Sequence, residues 1–124
     1  MDVWNLGIIA GDVEQERRLA AEFSRTIDGQ IPLHIVPRVD VRPGARWVAA
    51  IFNTGELDVA EVARSVREAG ARAVYLIQDA GADMPGELEK GIVDDLILLP
   101  LRPLELLSRI SHVELLSRMD EMSS

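Results

Sequence analysis

Along this chain, short apolar runs that end in Gly, Asp, Asn or Pro alternate with longer stretches whose apolar residues recur every three or four positions. The first pattern suits buried parallel strands and the second amphipathic helices, so the alternation predicts βα units. Trp4 to Ala10 reads as the first strand. Gly11-Asp12 follows it, and a helix then carries Leu19, Phe23 and Ile27 on one stripe, with Glu14, Glu16, Arg18, Glu22 and Arg25 mostly outside it. Leu33 to Val36 reads as a second strand. The next segment, Asp40-Val41-Arg42-Pro43-Gly44-Ala45, has too much turn chemistry for a full helix, which predicts that the second helix is shortened or missing.

Trp47 to Phe52 is almost continuously apolar, as a central parallel strand covered on both faces requires, and Asn53-Thr54-Gly55 ends it. Val59, Val62, Ala63 and Val66 set a helix from about Leu57 to Ala69, with Gly70 as its left-handed stop. Ala73 to Ile77 gives a fourth strand, followed by a loop and an abbreviated fourth helix around Glu87 to Lys90. Leu96 to Leu99 gives a fifth strand, and Pro103 opens a last helix that runs to about Met119. The expected architecture is a doubly wound, five-stranded parallel sheet of (βα)5 type with helices two and four shortened. Residues 1–119 form one domain and residues 120–124 a polar tail. In such sheets sites form beyond the carboxyl ends of the strands, which singles out Gly11-Asp12, Asn53, Gln78-Asp79 and Leu99-Pro100.

Composition narrows the function classes. A chain of 124 residues holds one domain with a core of its own. The absence of cysteine removes disulfides, thiolate zinc sites and thiol catalysis, and agrees with a cytoplasmic location. No stretch approaches the roughly 18 uninterrupted apolar residues of a membrane span, and Met1-Asp2-Val3-Trp4 lacks the basic start of a secretory signal. With 21 acidic against 13 basic residues the formal charge is −8, which disfavours direct contact with a nucleic-acid backbone.

The stretch from Gly91-Ile92-Val93-Asp94-Asp95-Leu96 through Leu99-Pro100-Leu101-Arg102-Pro103-Leu104-Glu105-Leu106-Leu107 to Arg109-Ile110 resembles the end of bacterial response-regulator receiver domains. Their pattern there is Gly-Ala-Asp-Asp-Tyr-Leu-x-Lys-Pro-Phe, then a helix with Glu-Leu-Leu and Arg-Ile. The resemblance implies a receiver-like, flavodoxin-like fold. In a working receiver an aspartate after strand three accepts a phosphoryl group, acids after strand one hold Mg²⁺, and a hydroxyl after strand four and a lysine after strand five bind the phosphoryl oxygens.

Position by position, the resemblance implies that this chemistry is lost. Asn53 stands at the acceptor position, and its neutral amide lacks the anionic carboxylate that forms an aspartyl phosphate. Gly11 stands for the first metal-binding acid, leaving Asp12 alone. Leu99, before the matching Pro100, replaces the lysine. The hydroxyl position falls at Gln78 or Asp79, and Leu96 takes the place of the aromatic residue whose rotation reports phosphorylation. The expected protein is therefore a degenerate receiver with no catalytic residue, no metal and no cofactor.

Other residues carry plainer readings. Asp12-Val13-Glu14-Gln15 is a capping-box-like helix start, so Asp12 reads as a cap before it reads as a metal ligand. Asn53 fits a side-chain bond within its own turn. Asp94 and Asp95 precede the fifth strand and read as a solvated turn. His34 and His112 lack companions at metal-ligand spacing, and Ser108, Ser111 and Ser117 lack a nucleophile-elbow context. The loop Gly81-Ala82-Asp83-Met84-Pro85-Gly86 lacks the Lys-Ser/Thr ending of a P-loop.

On the last helix Leu106, Leu107, Ile110 and Val113 cover one side, while Leu104, Leu115 and Met119 fall on another. A core needs only the first set, and receivers pair through this region. The second set is therefore a candidate interface for a homodimer or another signalling protein, with an output domain able to follow the helix in a longer protein. Two alternatives stand beside this reading: an active receiver that uses a non-standard acid such as Glu56 or Asp79, and a flavodoxin-like module that binds a small ligand at the altered site.

Overall fold

The structure, a computed structural model, describes residues 4–53 and 55–123, with side chains of the last helix described as far as Val113. Its strands are β1 (Trp4–Ile9), β2 (Leu33–Pro37), β3 (Trp47–Phe52), β4 (Val74–Asp79) and β5 (Asp95–Leu99). Its helices are α1 (Val13–Ile27), α2 (Val59–Glu68), the single-turn α3 (Gly86–Glu89) and α4 (Pro103–Ser123). All strand pairs are parallel, in the order β2-β1-β3-β4-β5, an α/β arrangement compatible with a flavodoxin-like fold.

Strand periodicity divides the core into two layers. Leu6, Ile8, Val48, Ala50, Tyr75, Ile77 and Ile97 turn to one face, where they pack with Ala20, Phe23 and Ile27 of α1 and Leu106 and Ile110 of α4. Ile9, Trp47, Ala49, Ile51, Val74 and Leu76 turn to the other, against Val59, Ala63 and Val66 of α2. The alanines of β3 and Ala63 are fully buried, and their small side chains let helix and sheet approach closely.

The expected shortening of the second and fourth helices is borne out. Between β2 and β3 there is only a 3-10 turn, Arg38–Asp40, so no helix covers the neighbouring part of β1. Its place over Gly7 is taken by Trp47 and Val41. A Cβ on Gly7 would lie 3.0 Å from a ring carbon of Trp47 and 3.0 Å from Cγ2 of Val41. The Arg38 guanidinium then stacks 4.6 Å from the centroid of the Trp47 ring. A glycine, a tryptophan and an arginine thus close a gap that a crossover helix would otherwise fill.

Two sequence expectations are corrected. Glu16, assigned to the outer side of the first helix, is buried, because the inward stripe of α1 runs Glu16, Ala20, Phe23, Ile27 and leaves Leu19 half-buried at its edge. Asp94 and Asp95 are not merely a solvated turn. Asp94 accepts from the Val74 backbone N–H at 2.8 Å and pairs with Arg67 at 2.9 Å. Asp95 is the first residue of β5 and pairs with Arg109, which also holds Glu105 at 3.1 Å and whose carbonyl accepts from the Tyr75 hydroxyl at 3.1 Å. Helix α4 continues past Met119 to Ser123. Among the described residues no helix is long and apolar enough to cross a membrane.

Candidate functional site

Because the strands are parallel, β1, β3, β4 and β5 end on one edge of the sheet, and the turns beyond them bring Gly11, Asp12, Asn53, Gln78, Asp79, Leu99 and Pro100 to that edge. The grouping expected from the sequence is therefore present in space. What each residue does there follows from its bonds.

Asp12 caps α1. Its Oδ1 accepts from the Gln15 N–H at 2.8 Å, and Gln15 Oε1 accepts from the Gly11 N–H at 3.3 Å, a reciprocal pair that satisfies donors at the head of the helix. Asp58 does the same for α2, accepting from the Glu61 N–H at 3.3 Å. Asn53 Oδ1 accepts from the Gly55 N–H at 2.9 Å and the Leu57 N–H at 3.2 Å. Its amide oxygen is thereby committed to folding the turn between β3 and α2, as its sequence context indicates.

Gly11 leaves room that another residue uses. A Cβ at position 11 would lie 2.7 Å from Oε2 of Glu56, so the Glu56 carboxylate, from the turn after β3, reaches over the turn after β1. Nearby, the buried Glu16 accepts from the Ala10 N–H through Oε2 at 3.2 Å, while its Oε1 has no hydrogen-bond partner. Burial raises the Glu16 pKa above the usual carboxylate range and Asp12 adds to the rise, while the Ala10 N–H and the guanidinium groups of Arg38 and Arg17 oppose it. The sequence signal for Glu16 was its spacing of four and seven ahead of Ala20 and Phe23, outweighed by its charge.

At the other side of the edge, Gln78 is half-buried and its Nε2 approaches the Asp83 carbonyl at 3.5 Å, while Asp79 is exposed. Leu99 packs partly buried against the core layer beneath α1 and α4, and its carbonyl accepts from the Ala80 N–H at 3.0 Å. The Leu99–Pro100 peptide is cis. Among the described residues no group of three or more His, Cys, Asp or Glu side chains is placed to hold a metal ion. His34 and His112 are both exposed and lie on separate elements, β2 and α4.

Of the candidate interface residues, Leu104 is 77% exposed, which separates it from the buried Leu106 and Ile110 of the same helix. Leu115 and Met119 lie in the part of α4 whose side chains fall outside the described residues. Comparison with protein-family models, with curated proteins and with solved structures returned no match to this chain.

Proposed function

We propose that this chain is a receiver-like domain that no longer accepts a phosphoryl group and acts as a protein-protein interaction module in bacterial signal transduction. The observation that carries the reading is Asn53: it stands after the third strand, where a receiver places its nucleophile, and its side-chain oxygen is spent on two backbone N–H groups. An amide so used offers neither the charge nor the lone pairs for attack on phosphorus. Leu99, at the position of the phosphate-binding lysine, is turned into the apolar core and supplies no cation.

Loss of the chemistry with retention of the sheet leaves the surfaces as the reason to keep the fold. The exposed Leu104 on α4, beside the β5 edge, supports self-association or contact with another signalling protein through this side of the molecule. Incubation with acetyl phosphate and Mg²⁺, followed by intact-mass measurement, tests the reading. The expected result is unmodified protein; a phosphoryl adduct on Glu56 or Asp79 overturns it in favour of an active receiver with a displaced acid.

A further inference from the structure

The flank of α2 that faces the connection between β2 and β3 has only a 3-10 turn, Arg38–Asp40, for a neighbour. Residues four apart on a helix lie one above the other, so Val62 and Val66 form one row of α2 and Glu61 and Ser65 the next. Trp47 and Val41 close the gap over Gly7, but a single turn is too short to cover both rows. A cleft of about 310 Å³ remains between the turn and the helix. The buried Ile9, last residue of β1, the buried Val66 and the half-buried Val62 give it an apolar lining, and Arg38, Glu61 and Ser65 give it a polar one.

We propose that this cleft binds a small zwitterion with an apolar body, of the chemistry of an aliphatic amino acid. Its two walls carry opposite charges, Arg38 on the turn and Glu61 on α2. The two do not pair with each other, and among the described residues no other acid forms an ion pair with Arg38 and no other base with Glu61. Arg38 does favour the ionised form of the buried Glu16, without bonding to it. The face of its guanidinium is held on the Trp47 ring, 4.6 Å from the centroid, which leaves the edge N–H groups to donate side by side to a carboxylate. Glu61 accepts from an ammonium, and the Ser65 hydroxyl can donate or accept beside it. A simple anion would meet Glu61 and a simple cation Arg38, so the pair selects for a ligand of both signs. Ile9, Val62 and Val66 take up its aliphatic part. The volume is at the small end of ligand sites, the size of an amino acid rather than of a nucleotide. Gly11, Asp12, Asn53, Gln78 and Leu99 are not among the residues that form this cleft, so the proposal does not depend on the loss of phosphoryl chemistry.

The stacking of Arg38 on Trp47 supplies a readout, since a ligand bound to the guanidinium alters the surroundings of that ring. The test is titration of the full chain with L-leucine and, separately, 6-aminohexanoate, at neutral pH and about 0.15 M salt, with tryptophan fluorescence recorded. Saturable binding with a Kd of about 1 mM or below is expected for at least one of them. Saturation by leucine alone assigns an α-amino acid, by 6-aminohexanoate alone a zwitterion with separated charges, and by both the wider class. 4-Methylpentanoate, which is leucine without its ammonium group, is expected to bind about tenfold more weakly than leucine, the loss of one charge-assisted contact. Glu61→Gln is expected to weaken the zwitterion by a similar factor and to leave 4-methylpentanoate no weaker than before. Glu22→Gln, on the exposed side of α1, is expected to change neither. Absence of saturation by both zwitterions overturns the proposal. So does 4-methylpentanoate binding as tightly as leucine, or a zwitterion affinity indifferent to Glu61→Gln in a variant that melts as the parent does.

Discussion

The Glu56 carboxylate occupies the space that a side chain on Gly11 would need, with Oε2 only 2.7 Å from the Cβ position. The turn after β3 thus supplies an acid over the turn after β1, where Gly11 has no side chain of its own. An acid introduced at position 11 would have to displace Glu56 and would then sit beside its charge. That coupling between two turns distant in sequence bears on any attempt to build the proposed receiver chemistry here.

Asn53→Asp alone is expected to fold as the parent does, because a carboxylate oxygen accepts from the Gly55 and Leu57 N–H groups as the amide oxygen does. It is expected to remain unphosphorylated by acetyl phosphate and Mg²⁺, since Leu99 still supplies no cation and Gly11 no metal ligand. The combination Gly11→Asp, Asn53→Asp and Leu99→Lys is expected to gain a Mg²⁺-dependent adduct. Intact mass with and without a chelator reads both outcomes.

Asp12 and Asp58 are expected to behave alike. Each accepts one backbone N–H at the head of its helix, so Asp12→Ala and Asp58→Ala should each lower stability by about 1 kcal/mol. Millimolar Mg²⁺ should leave the melting temperature of the parent unchanged. A Mg²⁺-induced rise that Asp12→Ala abolishes would instead make Asp12 a metal ligand.

Gly7→Ala is expected to destabilise by about 1–3 kcal/mol, the usual range for overpacking a filled site. The added methyl meets the Trp47 ring and Val41 at 3.0 Å, and the ring cannot retreat, being 2% exposed and stacked against Arg38. Arg38→Ala should cost less, about 0.5–1 kcal/mol from the lost cation-π contact. Urea denaturation with an unchanged slope distinguishes these losses from a change of fold.

Glu16 links stability to pH. Its pKa is raised in the folded chain, mainly by burial, so between the unfolded value of about 4.3 and the higher folded value the native state binds more protons. Its contribution is fully present below the unfolded value and is lost as pH rises through the folded one. Glu16→Gln removes the titration and retains an acceptor for the Ala10 N–H. The variant is expected to melt higher than the parent at neutral pH, with the difference shrinking as pH falls toward about 4.

Leu104 tests the proposed contact. With 77% of this leucine exposed, Leu104→Glu cannot disturb the core, so a fall in sedimenting mass from dimer to monomer would locate an interface on α4. The double variant Leu104→Glu, Leu115→Glu should be monomeric at every concentration that keeps the parent dimeric. A parent that sediments as a monomer throughout would remove self-association and leave a different protein as the partner.

Much of the architecture was present in local pattern. The run Trp47 to Phe52 is apolar on both faces because β3 is central, with a helix-bearing layer on each side, and a strand in that position leaves no polar face to disguise it. The turn chemistry of residues 40–45 argued against a full second helix, and Asp12-Val13-Glu14-Gln15 signalled its own cap. These features are written in local composition and spacing, whatever contacts they later serve. The grouping of Gly11, Asn53, Gln78 and Leu99 also followed, since parallel strands oblige their carboxyl ends to share an edge.

What lay beyond the sequence depended on contacts across distant segments. Glu16 was read as a surface charge because charge normally marks the outer face of a helix, yet its spacing places it inward, where only the Ala10 N–H and nearby arginines make burial tolerable. Asp94 and Asp95 looked like solvent-facing acids until Arg67 and Arg109 arrived from other helices. Glu56 over Gly11 and Trp47 over Gly7 are likewise products of folding. The sequence alone determined the order and kind of the elements, through short-range periodicity and turn preferences; the tertiary structure decided which charges are paired, buried or gathered, because electrostatic partners are chosen by distance in space and leave no periodic trace along the chain.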